Sequence, residues 1–502
     1  MDYMVEETIR LRYAGFILFA SRLVSAATGI AFVLMVTRST SAEEFGVWGN
    51  LGDVLGYFTL VAGMLPFWAT RFTARKYTGS AKTGFIANLL MSTIIASLYL
   101  ALVPTITSAL HISGNFTILY AIASIQIVES YTLSALEAVL YAKQPQMIGY
   151  GLLISEISKV AVGFVFITQL KLGLIGVIWS LIIACILQLT FYLKLTTNEL
   201  KEAIQWTYLK EWLKASPINL YNIAGGGITT FVFIFLFVYG GWLARAYYAA
   251  ALTIASVIGY SSSLAFALYP RLLSGSSIED VSVSLKMVMM FAIPMTAGAI
   301  VLSDSYLTIL KLVYAEARPV LLLLAITVLF ASISQVFSTV ISGTERVDAK
   351  AKIAFRELLR SRLFLLFTLP YIQSAVTLPT TFFILTSVAK TSLEAATYLA
   401  LIISLAESAM LIVRYIIARK CVIFNFPWKN VAKYIIASAV MVAPLLVIPH
   451  PTRLSLTLGF TILGGIIYFA ILATIDQETR ELTKLILNET KSKLRIRLPA
   501  RR

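Results

Sequence analysis

Basic side chains in this chain gather on alternate connections of a ladder of about fourteen apolar runs, each long enough to cross a bilayer. Allowing roughly 20 apolar residues per crossing, the first six runs lie near 13–36, 47–69, 83–104, 116–141, 147–169 and 172–195. The next six lie near 217–239, 245–269, 283–302, 318–342, 364–385 and 395–418, and a last pair near 431–448 and 454–475. Alternate connections carry Arg71, Arg75, Lys76 and Lys82; then Lys143; then Lys201, Lys210 and Lys214; then Arg346 through Arg362. The connections between them are nearly bare, offering Arg38, Lys171, Lys311, Lys390 and Arg453 singly or in pairs. Short basic loops stay in the cytoplasm. The pattern therefore predicts an all-α, multi-pass protein of the cell membrane with both termini inside, as an even number of crossings requires.

A formal net charge of +16 would suggest nucleic acid in a soluble chain, but 59% of these residues are apolar. The bases sit where anionic inner-leaflet lipids attract them, which excludes a nucleic-acid partner and leaves membrane lipids as the surface they meet. The first run is too long for a signal-peptide core, and Glu6 and Glu7 spoil a basic leader. It is expected to stay as a span. Cys185 and Cys421 both lie in apolar segments, and His111 and His450 fall in separate external loops. Neither a disulfide framework nor a histidine or cysteine metal site is readable, and no cofactor is expected.

Two cytoplasmic connections are long, 198–216 and 343–362. In the first, Leu200, Ile204, Leu209, Trp212 and Leu213 approximate one apolar face, which predicts an amphipathic interfacial helix. It either rests on headgroups or links two moving halves. After Asp476 the tail carries bases from Lys491 to Arg502 and is expected to lie on the inner leaflet. A weak internal repeat is visible. Phe45-Gly46-Val47-Trp48 precedes one run and Arg71 follows it; Arg245-Ala246-Tyr247-Tyr248 precedes another and Arg271 follows that, 200 residues later without a gap. Six crossings per half would make the repeat parallel. The alternative is chance likeness between two aromatic-flanked apolar helices.

The stretch Arg38-Ser39-Thr40-Ser41-Ala42-Glu43-Glu44-Phe45-Gly46 resembles the signature after the first span of Wzx-type flippases. These belong to the multidrug/oligosaccharidyl-lipid/polysaccharide exporter superfamily. That signature usually has Leu-Gly-Pro where this chain has Thr40-Ser41-Ala42. Tyr247-Tyr248-Ala249-Ala250-Ala251 and Leu268-Tyr269-Pro270-Arg271 are similar to the markers that bound the family's eighth span. Ile293-Pro294, Tyr314-Ala315-Glu316-Ala317 and Ser342-Gly343-Thr344 fall where its ninth- and tenth-span markers do. The resemblance implies two six-helix bundles around a central cavity, plus two C-terminal helices. It divides the chain into a first bundle at 1–197, the linker at 198–216, a second bundle at 217–420, the extra pair at 421–475 and the basic tail at 476–502. The function it implies is alternating access that carries a polyisoprenoid-(pyro)phosphate-linked oligosaccharide to the outer leaflet, for surface polysaccharide or glycoprotein glycan synthesis.

Ionisable groups inside spans are costly and so are default functional candidates. Counted at about 1.5 Å per residue, Arg22, Glu129, Glu156 and Lys159 share a layer near mid-depth of the first half. Asp53 lies nearer the outer face, and Glu407 reaches similar depth in the second half. Two readings stand side by side. Arg22 pairs with Glu129 and Glu156 with Lys159, gluing helices together; or Arg22 meets a lipid phosphate while a carboxylate cycles with a proton or sodium ion. Related flippases have cationic cavities, and this layer of two positive and two negative charges departs from that. Arg71 and Arg271 are either ordinary cytoplasmic anchors or a mouth that gathers the phosphate, for which arginine's planar fork is suited. Arg245 is an outer interfacial anchor or a headgroup acceptor after transfer.

Gly225-Gly226-Gly227 falls in the seventh run, as a hinge or a close-packing patch. No strand precedes it and no Lys-Ser/Thr pair follows, so it is not a nucleotide loop. A drug or cation antiporter of the same superfamily is the rival function, though such exporters usually have twelve spans. A glycan polymerase would need a large external loop with basic catalytic residues, and no nucleophile–base pair is readable, so no enzymatic activity is expected.

Overall fold

A bilayer core offers no water to the backbone, so a chain of apolar runs must close its hydrogen bonds within each segment, as helices. The computed structural model describes residues 11–40, 42–109, 114–274, 279–310, 312–346, 355–447, 453–476 and 480. Every regular element among them is helical. The basic tail, residues 347–354 of the long basic loop, and both histidines lie outside the described residues.

In chain order the helices are α1 (Leu11–Ser39), α2 (Ala42–Thr59), α3 (Met64–Ala74), α4 (Ser80–Ala109), α5 (Gly114–Lys143), α6 (Gln146–Gly163) and α7 (Gly173–Leu195). A single turn, α8 (Thr197–Leu200), precedes α9 (Trp206–Thr229) and α10 (Phe231–Gly259). Then come α11 (Leu268–Leu273), α12 (Glu279–Val301), α13 (Ser303–Leu310), α14 (Arg318–Thr344) and α15 (Phe355–Leu359). The last four are α16 (Arg362–Ser387), α17 (Ser392–Cys421), α18 (Trp428–Val447) and α19 (Leu454–Ile475). Thirteen helical stretches among the described residues are long and apolar enough to cross a membrane. Side chains such as Ile94, Val238, Ile412 and Ile466 stand exposed on them. A water-soluble protein rarely shows so much apolar surface, whereas lipid covers it without penalty. This is a multi-pass membrane protein.

The second expected span is the one that breaks. Instead of one helix over 47–69 there are two, α2 and α3, parted at 60–63. A break at that depth strands backbone carbonyls, and side chains take them up. Asn88 on α4 donates its Nδ2 to Ala62 O (3.1 Å) and to Tyr131 O (2.6 Å). Tyr131 donates to Phe58 O (3.0 Å), and Asn219 Nδ2 to Met64 O (3.0 Å). Irregular backbone survives in a membrane where protein satisfies it in this way.

The linker also differs from expectation. No separate interfacial helix covers 198–216; from Trp206 onward the linker is the first half of α9, with Pro217 inside it. Trp212 is fully buried beside Phe72 and Trp68, while Leu213 stays half exposed. Packing against α3 outweighs headgroup contact, so the apolar face turns into protein. The seventh and eighth spans meet at Gly241, whose positive φ of 83° ends one helical segment and starts the next.

The chain folds into two compact units that are discontinuous in sequence. One comprises 1–226, 266–277 and 341–368; the other comprises 227–265, 278–340 and 369–502. In the first, α1 packs on α6, α6 on α7, and α5 against α3, α4 and α7. In the second, α10 packs on α17 and α12 on α18, with α19 beside α18. Lys433 on α18 pairs with the buried Asp476 (2.8 Å), and Tyr468 on α19 donates to Met290 O on α12 (2.7 Å).

Candidate functional site

The charged layer of the first unit rests on α1, α5 and α6, and its members have different partners. Glu156 and Lys159, one turn apart on α6, form an ion pair at 2.6 Å. Thr28 of α1 donates a second hydrogen bond to Glu156 Oε2 (2.5 Å), and the Lys159 ammonium stands 5.7 Å from the Phe32 ring centroid. These two charges bond α1 to α6.

Arg22 does not join Glu129. Its side chain is exposed on α1 and makes no hydrogen bond or ion pair among the described residues. The charge it faces electrostatically is Glu137, two turns further along α5 than Glu129. Glu129 is buried, 6% exposed, and its Oε1 has no hydrogen-bond partner among the described residues. Glu129 and Glu137 both act electrostatically on Cys185 of α7. In the sequence Glu137 is hidden by its nearness to the helix end. Its offset of eight residues from Glu129, near two turns, is the signal that could have found it.

In the second unit Glu407 is paired. Its Oε1 lies 3.2 Å from Arg414 Nη1, which also donates to Ser334 Oγ on α14 (2.6 Å). Arg414, a residue the sequence reading did not single out, sits two turns inside the end of α17. Arg245 lies on α10 with its guanidinium 5.1 Å from the Phe233 ring centroid, the stacked posture of an anchor. Asp53 belongs to α2, its side chain outside the described part. Arg271 is on α11, half-buried.

Arg71, on α3, is fully buried. Its Nη1 donates to Ser342 O (2.8 Å) and Tyr269 OH (3.3 Å), and its Nη2 to Glu345 O (2.8 Å). In this conformation it serves as a fastening with no exposed face. Gly226 and Gly227 lie where the chain passes from one unit to the other, and a Cβ added at either meets nothing within 4 Å. Close packing does not explain them. Among the described residues, no group of three His, Cys, Asp or Glu side chains is placed to hold a metal ion.

No family model matches the sequence, and no curated protein matches it either. Solved structures do. A MATE in complex with MaD3S aligns with TM-score 0.65 at 11% identity, covering 82% of this chain and 96% of that one. An outward-facing multidrug resistance MATE family transporter of the MOP superfamily aligns with TM-score 0.60 at 13% identity, over 82% and 94%. A MOP superfamily transporter from Pyrococcus furiosus, described by a reversed polarity of its binding pocket, gives 0.61 at 13% over the same shares. At such identities the likeness establishes the fold, and this chain has the fold of MATE transporters.

Proposed function

We propose that this chain is a transporter of anionic lipids: a flippase that moves a polyisoprenoid-(pyro)phosphate-linked oligosaccharide to the outer leaflet by alternating access. The observation that carries the reading is Arg22. An arginine inside a span needs a partner or water, and this one is exposed with no bonded partner. A guanidinium so placed offers a planar fork to a phosphate, and Glu137 nearby moderates its charge when the phosphate is gone. Glu129, with a buried and unbonded carboxylate oxygen, is the coupling group that takes up a proton or sodium ion. In this reading 1–197 and 217–420 act as two six-helix halves, 421–475 adds the final pair, and 476–502 lies on the inner leaflet.

A second reading is a multidrug exporter, supported by the description of one structural neighbour as a multidrug resistance transporter. Against it, about a fifth of this chain has no counterpart in those structures, as expected if it carries two helices more than a twelve-span exporter. Pocket polarity separates the readings, since a cationic drug is repelled by Arg22 and a phosphate attracted. The test uses proteoliposomes containing only this protein and a fluorescent lipid-linked glycan, with ion gradients imposed one at a time. Flipping that Arg22→Ala abolishes is the expected result. Ion-driven efflux of a cationic dye without any flipping would overturn the flippase reading and favour the exporter.

A further inference from the structure

Two non-glycine residues among the described ones hold a positive φ, and both are lysines: Lys76 at 63° and Lys171 at 53°. Lys76 follows α3. Its N–H donates to Thr73 O (2.9 Å), and the Tyr77 N–H donates to Phe72 O (3.1 Å). That pair of bonds closes a helix whose left-handed end position is ordinarily glycine, because a Cβ there crowds the backbone. A base in the last turn answers the negative end of a helix dipole, but Arg71 already supplies one in α3. A glycine at 76 would keep both cap bonds without strain. The lysine costs stability that the cap does not need, and backbone strain of this kind collects at functional sites.

The surroundings hold this turn in place. The Tyr77 ring centroid lies 5.3 Å from that of Phe72 and 6.2 Å from that of Tyr208 on α9. Gly79 also has a positive φ, 78°, and a Cβ there would run into Ala203 O, so the α3–α4 turn touches the linker. Glu202 accepts the Gly79 N–H, and Thr83 Oγ1 accepts the N–H of Gln205 (2.8 Å). These bonds fasten the linker next to Lys201 onto the turn that carries Lys76. Lys82 sits in the first turn of α4, where a cation opposes the helix dipole. All three lysines belong to the first compact unit. The linker's acids are engaged, Glu202 with Gly79 and Glu199 with Lys143 (2.9 Å). The ammonium groups of Lys76, Lys82 and Lys201 make no hydrogen bond or ion pair among the described residues.

We propose that Lys76, Lys82 and Lys201 form a capture rim, on the face that loop charge places in the cytoplasm, which draws in a phosphate-bearing lipid headgroup before Arg22 holds it. The rim rests on the headgroup reading above and adds the step of arrival. Arg71, which charge counting puts at the mouth, is fully buried, so the gathering falls to exposed cations. Lysine suits that task, since its ammonium is a hydrated point charge on a flexible stem and fixes no geometry. Exposed charges of one sign raise the rate at which an anion arrives and leave its departure to buried contacts. The same chemistry fits a lipid-borne or a free pyrophosphate, and the experiment separates them.

Association and dissociation of farnesyl pyrophosphate are timed on the full-length protein in nanodiscs of neutral lipid, with farnesol and inorganic pyrophosphate as the other probes. Lys76→Gly is expected to raise the melting temperature by about 2 °C as strain is relieved. It should nonetheless slow association about threefold at low salt, with dissociation unchanged. The slowing should vanish near about 0.5 M salt, where exposed charges are screened. Lys76→Arg keeps the charge and should keep the rate, and Lys76→Asn, which also tolerates the left-handed region, should repeat the glycine result. Adding Lys82→Gln and Lys201→Gln to Lys76→Gly should deepen the slowing to about tenfold. Lys210→Gln, an equal loss of charge on α9, should leave the rate unchanged. Unchanged association in the triple variant, or the same slowing in Lys210→Gln or with farnesol, would overturn the rim. Competition by inorganic pyrophosphate in the wild type and not in the triple variant would support the rim with a free anion as an occupant. Slowing in the variants without that competition would support a lipid-borne phosphate alone.

Arg22→Ala, timed on the same samples, keeps the two proposals apart. The headgroup reading expects it to speed dissociation and leave association as it was. Faster dissociation in Arg22→Ala beside normal association in the Lys76 variants ends the rim and leaves the headgroup reading standing. Slowed association in Lys76→Gly beside normal dissociation in Arg22→Ala keeps the rim and ends the part given to Arg22. No binding of farnesyl pyrophosphate to the wild type ends the headgroup reading, and the rim with it.

Discussion

Arg22 and Glu129 share a depth and not a bond, and that decides what their removal does. Because Arg22 is exposed and unbonded on α1, Arg22→Ala is expected to change stability by no more than about 0.5 kcal/mol. The same change is expected to lower affinity for a phosphate-bearing lipid by tenfold or more, matching loss of a charged hydrogen bond worth about 1.5–3 kcal/mol. Thermal melts and lipid binding on one set of proteins check both halves. An unfolded or strongly destabilised Arg22→Ala would show that the arginine is a structural partner after all. Glu129 is the reverse case. Its buried Oε1 lacks a partner among the described residues, so Glu129→Gln is expected to stabilise the fold by about 1 kcal/mol, read as a higher melting temperature, while ion-gradient dependence of transport disappears. Glu156→Gln instead breaks the pair with Lys159 and is expected to cost about 2 kcal/mol, much of it recovered when Lys159→Met is added.

At the scale of elements, the broken α2–α3 pair and the α9 glycines test opposite properties. Asn88 holds two carbonyls beside the break. Asn88→Leu is expected to destabilise by about 2–3 kcal/mol, because buried carbonyls lose their donor. Chemical unfolding in detergent measures it, and a change below about 0.5 kcal/mol would mean that the break needs no support. Gly226→Ala meets no steric obstacle and lowers the entropy of the unfolded chain, so stability should hold or rise by about 0.5–1 kcal/mol. If α9 must bend where the chain passes between units, transport should nonetheless fall. Full transport by a stabilised Gly226→Ala would remove the hinge.

For the whole molecule, orientation is the broadest expectation, and it follows from loop charge alone. Cysteines replacing Ser113 and Thr452 should react with an impermeant maleimide on intact cells, and one replacing Ser492 in the tail should not. Labelling of the tail alone would invert the topology. The two compact units interleave the sequence, so each should show its own, separable class of hydrogen-exchange protection. The faster class is expected around Tyr260–Ala265 and Pro370.

The helical class and the approximate number and length of the crossings were legible without coordinates, since a bilayer imposes one period and one length on every crossing. The Glu156–Lys159 pair was legible too, because its spacing is local to one helix. What the sequence could not decide depends on which helices become neighbours. Arg22 and Glu129 lie on α1 and α5, 107 residues apart, and equal depth says nothing about rotation around each helix axis. Tertiary packing brought Glu137 within electrostatic reach of Arg22 and left Glu129 Oε1 without a hydrogen bond among the described residues. It likewise buried Arg71, which charge counting placed at an open loop, by bringing the end of α14 across 271 residues to meet it. The break in α2–α3 was hidden for the same reason. The run from 47 to 69 reads as apolar throughout, and only Asn88, Tyr131 and Asn219 from other helices make an interruption there stable. Hydrophobicity sets what crosses the membrane; long-range polar contacts between the helices set what each charge inside it does.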